Sequence, residues 1–244
     1  MHGGAVDLIF PHHEAEITQM ESISKKVPMV GYWIHTGFLT IDSEKMAKSV
    51  GNFYTIREVI EKGYDPLAIR FFMLQSHYRS LINFTFENLD AAKNRLNNWR
   101  NIAALRHQTH DTLQDDDKKS TDNTSVSLYA TSQALIEALS DDLNTPAGLT
   151  IIDEAFSRLA ASQLKDIHQH ALTELLATID EVLGIELTKS TPDIDDDAKR
   201  LIIQRHHARD NQNWKESDHI RDELLGQGIA IKDTEHGSIW EYVN

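Results

Sequence analysis

Along this chain apolar residues recur with two different periods, and the period changes twice. From Thr85 onward Leu89, Ala92, Leu96, Trp99 and Ala103 follow at three- and four-residue steps, the spacing that lines one face of a helix. Leu128, Leu135, Ile136 and Leu139 make a second stripe. A third, opened by Asn144-Thr145-Pro146, carries Leu149, Ile152, Phe156 and Leu159. The fourth, Leu172, Leu175, Leu176, Ile179 and Leu183, stops at Gly184. Together they predict an antiparallel helical bundle. Before Thr85, short apolar stretches at 6–10 and 32–41 read as strands among helices, and Asp65-Pro66 starts a helix continuing through Gln75. Near the end, helices at 198–209 and 214–225 precede two apolar runs at 228–233 and 238–242 that predict a hairpin.

Two polar runs interrupt the pattern. The stretch 114–123 reads as a loop and 188–197 as an interdomain linker, because neither has much apolar area to bury. At 244 residues with 40% hydrophobic content, the chain can bury a core. No window approaches the roughly 18 to 20 apolar residues of a membrane span, and Met1-His2-Gly3-Gly4 has no secretory character, so a cytoplasmic location is the default expectation.

A net charge of -14 argues against a polyanionic partner until it is divided along the chain. Residues 1–110 hold 12 basic and 11 acidic side chains, 111–197 hold 5 and 19, and 198–244 hold 7 and 8. Both ends therefore remain free to meet phosphates. The absence of cysteine leaves only imidazole and carboxylate as metal ligands within this chain.

Two stretches carry chemistry. In Phe10-Pro11-His12-His13-Glu14-Ala15-Glu16, Pro11 is placed to begin a helix, and His12 and Glu16 then share one face four residues apart. They could hold zinc, or the acidic residues could simply suit a helix start. In Glu44-Lys45-Met46-Ala47-Lys48-Ser49-Val50-Gly51-Asn52, two lysines and a hydroxyl could cradle a triphosphate or form an ordinary solvated loop.

Taken with Gly3-Gly4, Asp7-Leu8-Ile9, the run from Tyr32 to Leu39, His77-Tyr78-Arg79-Ser80, Asp141-Asp142-Leu143-Asn144-Thr145-Pro146 and the Ala208-to-Arg221 pattern around Trp214, these stretches resemble cysteinyl-tRNA synthetase, a class I aminoacyl-tRNA synthetase. The resemblance covers the whole chain. It implies an α/β remnant of a class I Rossmann catalytic domain, then a mainly α-helical anticodon-binding bundle and a small α+β C-terminal module. The expected divisions are 1–84 (second half of the catalytic domain, with the KMSKS-type loop and connecting fold), 85–187 (helical tRNA-binding bundle), 188–197 (linker) and 198–244 (anticodon recognition).

The same resemblance assigns the residues. His12 and Glu16 would be zinc ligands in a site that selects a thiol over a hydroxyl. Lys45 and Lys48 would be catalytic, meeting ATP phosphates together with Ser49, and Ala47 replaces a serine of the family pattern. Arg209, Trp214, Asp218 and Asp233 would read anticodon bases, although Trp214 taken alone could equally be core. Zn²⁺, ATP with Mg²⁺, cysteine and the cysteine tRNA are the implied cofactor, substrates and partner. The family's HIGH tetrapeptide and its two zinc-binding cysteines have no counterpart here. The chain is therefore expected to be an incomplete C-terminal portion, inactive without an N-terminal half. A noncatalytic tRNA-binding protein is the alternative of another class; the cysteine:amino-sugar ligase of mycothiol synthesis has no equivalent of residues 198–244.

Overall fold

The computed structural model describes residues 1–46, 51–108, 123–234 and 237–243. Two compact units divide the chain, one formed by Met1–Asn94 with Ala138–Leu149, the other by Arg95–Glu137 with Thr150–Asn244.

In the first unit, β1 (His2–Ala5) and β2 (Trp33–Thr36) pair in parallel, joined through α1 (Glu14–Ser24). The apolar stretch at 6–10 is not the strand expected of it: a 3-10 turn (Val6–Leu8) and an irregular turn (Ile9–His13) occupy it, with Phe10 in extended geometry. Nor does Pro11 begin the helix, which starts at Glu14. Val6, Ile9 and Phe10 stay exposed, as does Tyr32 just before β2.

The stretch 32–41 breaks into two strands in different sheets. β3 (Leu39–Ile41) pairs antiparallel with β4 (Glu44–Lys45) and parallel with β5 (Ile82–Phe84). Asp42 and Ser43, both at positive φ, make the two-residue turn between β3 and β4, the geometry whose twist suits a tight hairpin. Asn83 pins that turn, its side-chain oxygen accepting from Ser43 N at 2.7 Å and from the Thr40 hydroxyl at 3.1 Å. α2 (Ile56–Glu61) opens with a reciprocal cap between Thr55 and Glu58, and α3 (Pro66–Leu74) opens with Asp65 accepting from Leu67 N, Pro66 standing where no N–H is needed. Ala68, Ile69, Phe71 and Phe72 of α3 are buried.

The helical stripes bury as their spacing requires. On α4 (Phe86–Ala104), capped by the Thr85 hydroxyl, Leu89, Ala92, Leu96, Trp99 and Ala103 are at most 2% exposed. On α6 (Thr145–Ala160) the four stripe residues are buried, as are all five of α7 (Gln169–Leu183), which ends on Gly184 in the left-handed conformation. α5 (Asn123–Ser140) departs from expectation: Leu128 and Leu135 are buried, but Ile136 is 44% exposed. In the second unit Asp153 of α6 accepts from Arg95 at 2.5 Å and from the Trp99 indole at 2.6 Å, fastening α6 to α4.

The stretch expected to be a linker is packed. α8 (Leu187–Ser190) leads into Thr191 and Ile194, both buried. Arg106, 5% exposed, donates to the carbonyls of Ala103, Thr188 and Thr191 and to the Thr191 hydroxyl. Ile194 and Ala104 then join Ala198, Ile202, Ile220, Leu224, Ile229 and Trp240 in one core. That core holds together the terminal elements α9 (Asp196–Asp210), α10 (Trp214–Gly226) and the antiparallel hairpin β6 (Ile229–Thr234) and β7 (Gly237–Tyr242). Scarce apolar area predicts a linker here, but it does not reveal that the run's carbonyls are wanted by a buried guanidinium.

Candidate functional site

The first candidate site lies on the β1–α1–β2 segment. His13 is 5% exposed, its Nδ1 lies 2.9 Å from His35 Nε2, and its ring touches those of His2 and Trp33. His2 Nε2 lies 2.9 Å from a carboxylate oxygen of Glu16. His2, His13 and Glu16 each present one ligating atom within 4.8 Å of the others. His12, expected to stand with Glu16, is exposed, and the histidine brought near Glu16 is its neighbour. The reason is local: with the helix proper starting at Glu14, His13 is the residue turned onto the sheet, where its ring lies over Gly4. Two imidazoles and a carboxylate are a donor set that zinc accepts. A short-range signal for His2 was absent, because only the parallel pairing of β1 with β2 brings it to the cluster.

The second candidate is the lysine loop. Lys45 ends β4 with its side chain exposed, and its carbonyl accepts from Asn52 Nδ2 at 3.1 Å, so the two ends of the loop are tied to each other. Lys48, Ser49 and Ala47 lie outside the described residues. Between β2 and β3, Gly37 N donates to Tyr78 O at 2.7 Å, and a β-carbon on Gly37 would stand 2.2 Å from the Ser80 carbonyl oxygen. Only glycine permits that approach. The His77-Tyr78-Arg79 run in turn closes on Asp142: the Tyr78 hydroxyl donates to its carboxylate at 2.6 Å, Arg79 at 3.0 Å, and His77 Nε2 is 2.8 Å from its backbone carbonyl. The Tyr78 bond first, and the Arg79 charge after it, hold the Asp142 carboxyl below the usual carboxylate range. Asp142 and Leu143 both have a φ of 55°, a strained pair at the turn into α6.

The third candidate is on the terminal module. Arg205 and Arg209, one helical turn apart on α9, both reach Asp233 of β6. Arg205 binds it in a fork at 3.0 and 2.7 Å, Arg209 adds a bond at 3.0 Å, and Ser238, opposite Asp233 in the hairpin register, donates its hydroxyl at 2.5 Å. The Arg205 fork, opposed by partial burial and reinforced by Ser238, holds the Asp233 carboxyl far below its ordinary range. The Arg209 guanidinium stands 5.8 Å from the centre of the Trp214 ring, and Trp214 is 57% exposed, which removes the core reading of this residue. Asp218 lies one turn further along α10, exposed and paired with Arg221 at 3.7 Å. Arg209, Trp214 and Asp233 are thus brought together. Arg205 was missed, although its four-residue spacing from Arg209 was available as a signal.

No helix among the described residues is long and apolar enough to cross a membrane. Residues 1–94 match the family described as "tRNA synthetases class I (C) catalytic domain", and residues 191–240 match "Cysteinyl-tRNA ligase anticodon binding domain". The chain is 36% identical over 247 residues to the cysteine--tRNA ligase of Lachnospira eligens, covering 98% of this chain and 51% of that protein. It is 38% identical over 249 residues to that of Idiomarina loihiensis, covering 98% and 51%. It therefore spans about half the length of these curated relatives. Among solved structures, the LeuRS chain of a LeuRS–tRNA–LeuAMS ternary complex from Agrobacterium radiobacter K84 shares the fold at a TM-score of 0.58 and 13% identity, over 80% of this chain and 27% of that one.

Proposed function

We propose that this chain, a member of the cysteinyl-tRNA synthetase family of class I enzymes, carries the ATP-gripping loop and the tRNA-reading elements of a cytoplasmic cysteine--tRNA ligase. The observation that supports this most is agreement with such ligases along 98% of its length. In that reaction ATP and cysteine give cysteinyl-adenylate and pyrophosphate, and the cysteinyl group then passes to the 3′ end of the cysteine tRNA.

Lys48, with Lys45 and Ser49, would neutralise charge developing on the phosphates, alongside Mg²⁺. The Asn52 bond to the Lys45 carbonyl keeps the loop ends together, and the Asn83-pinned turn fixes where the first lysine leaves the sheet. Zinc would be held by Glu16 and His12, with His2 and His13 close to the same carboxylate as the alternative imidazoles. Its contribution when bound is preference for a thiolate over a hydroxyl. His35, through its bond to His13, fixes which nitrogen of that ring stays available. Arg209, Trp214, Asp218 and Asp233 would take splayed anticodon bases by hydrogen bonding and stacking.

Fluorescence anisotropy with whole tRNAs tests the binding half. The cysteine tRNA should bind more tightly than noncognate tRNAs, and Trp214→Ala should weaken it roughly tenfold, the scale of one lost stacking contact. Equal affinity for all tRNAs would overturn the reading. The catalytic half is tested by cysteine-dependent ATP–pyrophosphate exchange, using this chain joined to the amino-terminal half of the Idiomarina loihiensis relative. Exchange that Lys48→Ala leaves unchanged would remove the lysine loop from the mechanism.

A further inference from the structure

We propose that Arg205 is a positioning residue for base recognition: it fixes the orientation of the Asp233 carboxylate from the buried side, leaving Arg209 as the partner that exchanges with RNA. The inference rests on the anticodon role proposed for this module.

Arg205 is 2% exposed, so it has no access to a nucleic acid. Its two terminal nitrogens meet the two oxygens of Asp233 in a planar fork, which sets both the position and the rotation of the carboxylate. Ser238 adds a second bond to the oxygen that Nη1 of Arg205 contacts, and Arg209 adds a second to the other. A carboxylate has about four lone-pair sites, and here all are taken. An incoming base amino group must therefore displace Ser238 or Arg209, since a buried guanidinium cannot withdraw into water. Of the two, Arg209 is the freer: it is 37% exposed in its side chain and already lies over the exposed Trp214 ring. Once released, its donors face the same base edge as the freed carboxylate oxygen. Recognition then pairs one acceptor and one donor group at a spacing the Arg205 fork dictates, which suits a base edge offering an amino group beside an acceptor.

Three properties separate this role from plain structural support. Arg205 touches no phosphate, so its replacement should leave the salt dependence of RNA binding unchanged. Lysine keeps the charge but lacks the fork, so Arg205→Lys should lose discrimination rather than stability. Arg205 acts through Asp233, so the pair should not be additive.

The experiment uses the full chain and RNA stem-loops bearing the cysteine anticodon or single-base variants of it. Arg205→Lys should cut the ratio of cognate to variant affinity by at least about tenfold, the scale of one lost bidentate contact, with an unaltered salt slope. The Arg205→Lys/Asp233→Asn double variant should discriminate no worse than Asp233→Asn alone. Loss of affinity shared equally by all hairpins, or an additive double variant, would overturn the positioning role. A ¹³C NMR titration of the Asp233 carboxyl, which needs no RNA, should move upward in Arg205→Lys; no movement would equally overturn it. Failure of the unmodified chain to distinguish the hairpins would instead refute the anticodon reading. Should Arg205→Lys not fold, Ser238→Ala removes a donor at the rim and is expected to reduce discrimination in the same direction; unchanged discrimination would count against the proposal.

Discussion

Replacing Arg106 by methionine keeps much of the side-chain volume and deletes a buried charge, so it isolates what the guanidinium does for the second unit. Four acceptors lose the guanidinium: the carbonyls of Ala103, Thr188 and Thr191, and the Thr191 hydroxyl. The hydroxyl keeps its own donation to Leu187 O at 2.7 Å and suffers least. The Thr191 carbonyl keeps the His107 ring nitrogen at 3.1 Å, so the loss falls on the carbonyls of Ala103 and Thr188, each costing about 1 to 3 kcal/mol where no water replaces the guanidinium. Against this stands the desolvation of the arginine, which no longer has to be met. Burial already lowers the Arg106 pKa, the sign of that same unfavourable contribution. Taking the lower figure for each of these two carbonyls, the net loss is about 1 to 2 kcal/mol. Urea unfolding followed by far-UV circular dichroism measures it, and limited proteolysis should show new cleavage within 188–197. A loss below about 1 kcal/mol, or a variant more stable than the parent, would mean the desolvation cost had outweighed the bonds and would refute the reasoning.

Gly37→Ala should destabilise the first unit and disturb the β3–β4 hairpin, because the new methyl meets a backbone carbonyl that cannot swing away; chemical-shift changes confined to residue 37 would contradict this. Thr55→Ala should cost about 1 kcal/mol through loss of the α2 cap, read from the same urea titration, and no change would show the cap to be dispensable. Burial, and then the adjacent Arg106 charge, hold the His107 imidazole below its ordinary value of 6.5. The unfolded chain then binds that proton at higher pH than the folded one, so stability should fall as pH drops below about 6.5, and His107→Gln should flatten this dependence in melts between about pH 7.5 and 5.5. Asp142→Ala should cost more than Asp142→Asn, since asparagine tolerates the left-handed backbone while alanine loses both that tolerance and every side-chain bond.

What could be foreseen in this molecule was what lies close along the chain. The stripes of α4, α6 and α7, the caps at Asp65 and Thr85 and the stop at Gly184 depend on residues within a turn or two of one another, and all took their expected places. Misreadings arose where a distant partner decides. Residues 6–10 are apolar enough for a strand, but the chain turns there and pairs through 2–5 instead. The histidine beside Glu16 depends on where α1 begins, a shift of a few residues that no periodicity over so short a run could fix. Thr191 and Ile194 are buried by Arg106 and by a core assembled from four separate segments. In the terminal module, Arg209, Trp214 and Asp233, proposed above to meet RNA, were recognisable by family pattern, whereas Arg205 has the look of any helical arginine until Asp233 folds against it.

Gln108 has a consequence of another kind. Its side-chain oxygen accepts from Trp240 N at 3.1 Å, and its side-chain nitrogen lies 3.4 Å from Trp240 O while also donating toward Ala104 O. One amide side chain thus occupies the hydrogen-bonding positions that a neighbouring strand would take along β7. A two-stranded hairpin otherwise presents an open ladder on which a second molecule can nucleate intermolecular pairing. Here the ladder is closed at Trp240 by a group that satisfies the backbone without extending the sheet, so at that position a further strand finds no free backbone group to pair with.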